Sequence, residues 1–483
     1  MTLLSILFPI AMGLALLLCH TADRRRRELW VIGTSAVTAA LAVSAAVLTY
    51  GETFTLLRLT PSLQLVLRAD GLGSIFAVMV SLLWVIASFY ALEYMKHEGA
   101  ETRFFGFFLM SFGVTLGVAF AGNLLTMYLF YELLTLATLP LVMHAMNGRA
   151  RYAGKSYILY SMTGAALGFV AMIFAMYYGA GDFIMGGSLD ASAVEGGRNV
   201  LLGFYVVGFF GFGVKAAIFP FHGWLLDASV APTPVTALLH AVAVVKSGVF
   251  AVMRLTYFVF GAQLLFGTWA QTLVLCAAAF TIAYASVRAL RTPHFKRRLA
   301  YSTVANLSYI LVGVACMSVG GLVAAVAHML FHAVAKICLF FTCGAVYYRT
   351  GREYVYELEG FGKIMPLTMG AFSLTAFSLM GLPPLCGFTG KWLLGTALME
   401  TGLTVGWIGA GALVLSAFFS CMYLLSILLI SYVPRVKFVP PYTENQDPNW
   451  FMKGPFAALC ILCVALSLWA SPLVEGITGL LYS

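Results

Sequence analysis

Runs of about 20 apolar residues, the length that crosses the hydrocarbon of a bilayer, recur along this whole sequence. No water is available at that depth. Every backbone N–H and C=O must therefore pair within the chain, which leaves helices or a closed barrel. The runs are continuous rather than alternating, and this selects helices. Of 483 residues, 61% are hydrophobic and only 10% charged, too few charges to cover a water-facing surface. The expected fold class is all-α integral membrane with about 14 transmembrane helices. The spans fall near 3–20, 29–50, 70–95, 104–121, 123–145, 157–179, 199–221, 232–256, 269–288, 300–319, 322–347, 366–394, 404–432 and 454–480. Residues 3–19 have the apolar character of a signal sequence, but Arg24 to Arg27 follow the run instead of preceding it. A retained first helix is expected.

The formal charge of +9 has its source in loops that set orientation, and nucleic acid is not an expected partner. With the N-terminus outside, 20 of the 28 basic residues fall in inside loops, among them Arg24 to Arg27, Arg149, Lys296, Arg352 and Lys437. Arg58, Arg68, Arg198 and Arg254 fall outside, and the outer loop 180–198 holds Asp182, Asp190 and Glu195. This asymmetry follows the positive-inside rule and places both termini outside. The expected location is a prokaryotic cell (inner) membrane. Of nine cysteines, Cys460 and Cys463 form a C-x-x-C within a span. They are read as small apolar helix residues, and no Cys/His spacing suggests a metal or cluster.

Ionisable residues at mid-span cost roughly 2.5–3.5 kcal/mol each on insertion scales, so a functional role is the default reading. Glu132 is one, in YLFYELLTL. Lys215 is followed by Pro220, which must disturb the helix. The letters G-x-G-x-x-A at 211–216 match a dinucleotide fingerprint. They lie inside a span with no strand before them and are discarded. Lys246 and His240 are six apart and are expected on different faces of one helix. His328, His332 and Lys336 recur at i, i+4 and i+8, on one face over about 12 Å of rise, as a relay would. Lys391 lies in GLPPLCGFTGKWLLG, where the prolines and glycines are expected to break a regular helix.

The two proline-broken spans are five apart, and each carries one lysine. That placement points to two inverted five-helix repeats with an ion site at their interface. The expected division is 1–103 for helices 1–3, 104–256 for the first repeat, 257–432 for the second, and 433–483 for an inner loop and helix 14.

The run KAAIFPFHGWLLDASVAPTPVTALLHAVAVVKSGVFAVMRL (215–255) resembles the signature of the antiporter-like subunits of respiratory complex I. Mrp cation/proton antiporters and the membrane arms of energy-converting hydrogenases share that family. FKRRLAYSTVANLSYI (295–310), HMLFHAVAKICLFFTCGAV (328–346) and GLPPLCGFTGKWLL (381–394) are similar too, and the resemblance covers roughly 65–430. It implies a proton path. Glu132 pairs with Lys215, Lys246 connects, His328, His332 and Lys336 form the central axis, and Lys391 serves the exit. His240, His222, Asp227 and Asp70 are candidate accessory groups, Asp70 by its place in an R-x-D-G opening. Leu226 departs from a usual proline, His294 and Phe295 from an acidic position, and Ser308 from a glycine. With its last span near the end of the sequence, the chain is expected to lack the long lateral helix of the largest members.

The sequence has no phosphate loop, flavin motif or haem-attachment motif, so no cofactor is expected in this chain. The favoured reading is a proton-translocating subunit of a redox-driven complex of the complex I or hydrogenase kind. Its partners would be other membrane subunits and peripheral redox subunits on the inner side, carrying iron–sulfur clusters, flavin or a metal centre. The alternative is a subunit of an Mrp-type Na+/H+ antiporter with no electron transfer. A scaffold protein that does not conduct and an unrelated small-molecule transporter explain the lysine–histidine axis less well.

Overall fold

The computed structural model describes residues 1–19, 23–60, 63–435 and 444–482, without the side chains of 191–196. Lys437, the last residue of the first expected span and the Glu195 side chain lie outside the described residues. The chain opens with α1 (Thr2–Cys19) and α2 (Arg24–Leu48), then a hairpin of β1 (Thr53–Arg58) and β2 (Gln64–Arg68). Helices α3 (Gly71–Glu98), α4 (Glu101–Ala119), α5 (Leu124–Val142) and α6 (Gly148–Tyr177) follow. Next come α7 (Ala191–Gly213), α8 (Gly223–Asp227), α9 (Thr233–Ala241), α10 (Val244–Met253) and the short α11 (Ala262–Leu265). The remainder is α12 (Trp269–Arg291), α13 (Phe295–Ala315), α14 (Val319–Thr350), the short α15 (Phe361–Ile364), α16 (Pro366–Met380), α17 (Cys386–Glu400), α18 (Thr404–Tyr432), α19 (Trp450–Leu468) and α20 (Ala470–Tyr482).

Among the described residues, eleven spans are long and apolar enough to cross a membrane. Helix α7, helix α13 and the interrupted pair α16–α17 complete the fourteen crossings expected. Side-chain caps mark where several begin. Asn123, Asn147, Thr268 and Ser318 accept from backbone N–H groups in the first turns of α5, α6, α12 and α14, satisfying donors that have no partner inside the helix. Two spans lie at the centre of the bundle. The apolar windows of Thr233–Phe260 and Val319–Thr350 are 100% and 94% buried, against 28–50% for most of the outer helices.

Three features depart from expectation. The hairpin was not foreseen, because only continuous apolar runs were read as structure. Thr53–Arg58 and Gln64–Arg68 are short, rich in β-branched and leucine residues, and pair antiparallel from Thr53 opposite Arg68 to Arg58 opposite Gln64. The eighth span is not one helix. Leu238 O accepts from both Val242 N (3.0 Å) and Ala243 N (2.8 Å), a π-type bulge that separates α9 from α10. His240 and Lys246 therefore belong to different segments, and a phase count along one helix does not relate them. Third, Arg254 is no outer-loop residue. It is fully buried where α10 passes into a π-helical turn, Arg254–Phe260. Its guanidinium makes a two-pronged contact with Asp70, Nη1 to Oδ2 and Nη2 to Oδ1, both 2.6 Å. The rings of Phe183, Phe250 and Phe258 enclose it at 4.6–5.0 Å.

The discarded glycine motif serves packing. A Cβ on Gly211 would lie 2.6 Å from Gly168 N, and one on Gly164 would lie 2.7 Å from Gly211 O. Small residues here let α6 and α7 touch backbone to backbone, the usual device between membrane helices.

Asp70 also caps α3 by accepting from Gly73 N (2.9 Å). Truncating it leaves Arg254 as an uncompensated buried charge. Asp70→Ala is expected to cost about 3–5 kcal/mol, and Asp70→Ala with Arg254→Leu should recover part of that. Unfolding in detergent measures both, and an Asp70→Ala protein as stable as the parent would sink the anchoring role.

Candidate functional site

Helix α7 stops at Gly213, and Pro220 follows a cis peptide after Phe219. The backbone groups released by this break find new partners. Phe219 N donates to Thr281 Oγ1 (3.1 Å), and Trp224 Nε1 donates to Val214 O (2.8 Å). Irregular backbone at membrane depth persists only where protein satisfies it in this way. Lys215 lies inside the break. Its Nζ donates to the Tyr131 carbonyl, sits 3.4 Å from the Tyr131 ring centroid and stands 3.5 Å from Glu132 Oε1. Lys215 is 1% exposed, but Glu132 is 27% exposed. Mid-span depth therefore does not bury Glu132 fully, because α5 turns that side chain toward the flank of the bundle.

The central cluster joins α10, α13 and α14. Lys246 Nζ and His332 Nδ1 are 2.8 Å apart. His328 Nε2 meets Asn306 Oδ1 at 3.2 Å, and Lys336 donates to Ser302 Oγ (2.7 Å) and Leu299 O (3.3 Å). The rings of His328 and His332 stack with centroids 6.2 Å apart. Each uses one ring nitrogen, and among the described residues His328 Nδ1 and His332 Nε2 are buried without a hydrogen-bond partner. His240 packs on Phe340 (4.8 Å) and lies within electrostatic range of Lys336 and Lys296.

The second break separates α16 from α17. Gly381 closes α16 at φ +86°, a left-handed geometry suited to glycine, and a cis peptide joins Pro383 to Pro384. Lys391 is partly buried, donates to Met380 O (2.8 Å) and lies 5.7 Å from the Tyr309 ring. It is within electrostatic range of His328.

Two glycines set how closely the breaks approach the centre. A Cβ on Gly248 of α10 would lie 2.5 Å from Ala216 N and 2.7 Å from Lys215 C. A Cβ on Gly390 would lie 2.9 Å from His328 Nδ1. Each lysine-bearing break is thus pressed on a central helix that carries a titratable group.

At the end of the bundle holding Arg149 and Arg352, a cavity of about 250 Å³ is lined by Glu98, His294, Lys296, Tyr347 and Glu353 among others. Burial holds His294 below the ordinary imidazole range, with Glu353 opposing, which favours the neutral ring. Lys296 donates to Ala231 O (2.6 Å) at this cavity.

The structure thus gathers Lys246, His328, His332 and Lys336 at the centre, with the Lys215–Glu132 pair and Lys391 at the flanking breaks. Three accessory candidates stand apart. Asp70 binds Arg254, Asp227 accepts from Ser156 Oγ (2.7 Å), and His222 lies between Phe219 and Tyr284. The sequence reading missed Tyr131, Ser302, Asn306 and Tyr309. Ser302, Asn306 and Tyr309 fall at i, i+4 and i+7 of an apolar span, one helical face that would have revealed them.

Two interrupted spans that each hold a lysine against a central lysine–histidine cluster define the class of antiporter-like membrane subunits. Residues 121–420 match the family described as NADH:quinone oxidoreductase/Mrp antiporter, TM. Residues 60–105 match NADH-Ubiquinone oxidoreductase (complex I), chain 5 N-terminus. The chain belongs to the NADH:quinone oxidoreductase/Mrp antiporter family. It is 34% identical to NADH-quinone oxidoreductase subunit N of Desulforudis audaxviator over 369 residues, 75% of this chain and 72% of that protein. It is 31% identical to a Na(+)/H(+) antiporter subunit of Alkalihalophilus pseudofirmus over 68% of this chain, but spans only 42% of that longer protein. Its fold is similar to a chain of the membrane-bound sulfane sulfur reductase, an archaeal respiratory membrane complex. The TM-score is 0.85 at 20% identity, covering 99% of this chain and 96% of that one.

Gly248→Val should push α10 off the first break, at about 1–3 kcal/mol for the overpacking. The expected result is a folded protein of lowered thermal midpoint and severely reduced proton passage in vesicles. Parent-level stability and passage together would contradict the close approach.

Proposed function

We propose that this chain is the proton-translocating, antiporter-like subunit of a larger membrane complex. The observation that carries the reading is the Lys246–His332 contact of 2.8 Å, deep in the bundle between two lysine-bearing breaks. In the resting state Glu132 stabilises the ammonium of Lys215. Separating that pair removes the stabilisation and leaves a charge that burial disfavours, so the proton leaves Lys215. It passes inward to Lys246, His332 and Lys336, then to Lys391, which releases it outside. Hydrogen-bonded waters bridge the gaps too long for direct transfer. The two repeats are 104–256 and 257–432, of opposite orientation, and the positive-inside count supports both termini outside a prokaryotic cell membrane.

The driver is supplied by partners. Similarity to one protein of a quinone oxidoreductase and to a chain of a respiratory complex supports redox partners on the inner side, carrying iron–sulfur, flavin or metal centres. Similarity to a Na(+)/H(+) antiporter subunit supports the second reading, Mrp-type exchange without electron transfer.

Lys215→Ala and Glu132→Ala should each abolish coupled proton translocation in vesicles while the complex still assembles. Normal pumping in both variants overturns the mechanism. Purifying the chain from its native membrane in mild detergent separates the two drivers. Iron–sulfur or flavin absorption with hydrophilic subunits is expected under the first, and a colourless set of small membrane subunits under the second.

A further inference from the structure

The C-x-x-C of α19 is read from sequence as helix filler, yet each of its thiols lies near a cysteine from another span. Cys460 lies within electrostatic range of Cys338 of α14, and Cys463 within that of Cys386, the first residue of α17. The second pair is also joined through its backbones. Cys386 N donates to Ser467 Oγ (2.8 Å), and Ser467 Oγ donates to the Cys463 carbonyl (2.7 Å). Ser378 Oγ lies 3.5 Å from Cys386 Sγ and accepts from Gly387 N (3.3 Å). All four cysteines are free thiols.

We propose that Cys386 and Cys463 are a dithiol modification site that closes to a disulfide under a thiol oxidant and ties the second break to α19. In the reaction one sulfur attacks the oxidant, the other displaces it, and an S–S bond replaces two S–H bonds. Two protons and two electrons leave. An azo oxidant such as diamide takes up both pairs and becomes the hydrazine, so the step balances. Cys386 is the better attacking sulfur of the four, because the positive end of the α17 dipole lies at its position. Cys338 and Cys460 lie in the interiors of α14 and α19 and lack that advantage. Lys391 lies five residues beyond Cys386 on the same helix. A bond at Cys386 therefore restrains the segment that positions Lys391 against Met380 O. This consequence rests on the proposed ion path, whereas the thiol chemistry does not.

The test treats native membranes holding the whole complex with diamide, blocks remaining thiols with N-ethylmaleimide and maps linked peptides by mass spectrometry. A Cys386–Cys463 disulfide is expected, reversed by dithiothreitol, absent in Cys463→Ser and retained in Cys338→Ala. Proton translocation should fall several-fold with diamide, recover with dithiothreitol, and be insensitive in Cys463→Ser. Absence of the linked peptide, or a Cys338–Cys460 disulfide in its place, overturns the site. Equal diamide inhibition in Cys463→Ser, or a disulfide without inhibition, overturns the restraint on the ion path. Vesicles that pass no protons before treatment count against the proposed function, while the peptide map still decides the thiol pair.

Discussion

An ammonium group taken out of water must find oxygen or nitrogen lone pairs within the protein, and the four mid-span lysines organise the interior around that need. Lys215 takes the Tyr131 carbonyl and the Glu132 carboxylate. Lys246 takes an imidazole nitrogen. Lys336 takes a hydroxyl and a carbonyl, and Lys391 takes the carbonyl of Met380. Among the described residues, Lys215 alone of these four faces a carboxylate. The full ion pair thus stands at one end of the array, and the other three lysines are held by neutral groups that can be exchanged for water at smaller electrostatic cost.

The second break meets the same need in another way. In an unbroken helix each interior carbonyl already accepts one backbone N–H, and an ammonium must share it, as Lys215 shares the Tyr131 carbonyl of α5 and Lys336 the Leu299 carbonyl of α13. Ending α16 at Met380 frees that residue's carbonyl for Lys391. The break at Pro383–Pro384 thus opens backbone to its lysine, and Gly248 and Gly390 let the two breaks lie directly on the central helices.

Much of this was legible in the sequence. Spans followed from apolar run length, and Thr404–Tyr432 forms a helix over the span expected for it. The i, i+4, i+8 array on α14 followed from helical period, and the breaks from proline. What stayed hidden depended on tertiary pairing. Arg254 sits at the end of an apolar run, where an outer loop and a buried fork with Asp70 read alike. The bulge at Val242–Ala243 has no proline or glycine to announce it. Glu132 shows that a count along a helix gives depth in the bilayer but not which way a side chain faces. Cys460 and Cys463 gain meaning only from the helices that pack against α19.

The fork between Arg254 and Asp70 has a mechanical side. It fixes one end of α10 to the start of α3, while the bulge at Val242–Ala243 leaves the other end jointed to α9. Lys246 lies three residues past that joint and eight before the fork. A rod pinned at one end and articulated at the other swings most where it is articulated. Any swing of α10 about this pin would therefore be largest beside Lys246 and His332, where a small tilt would open a gap between donor and acceptor.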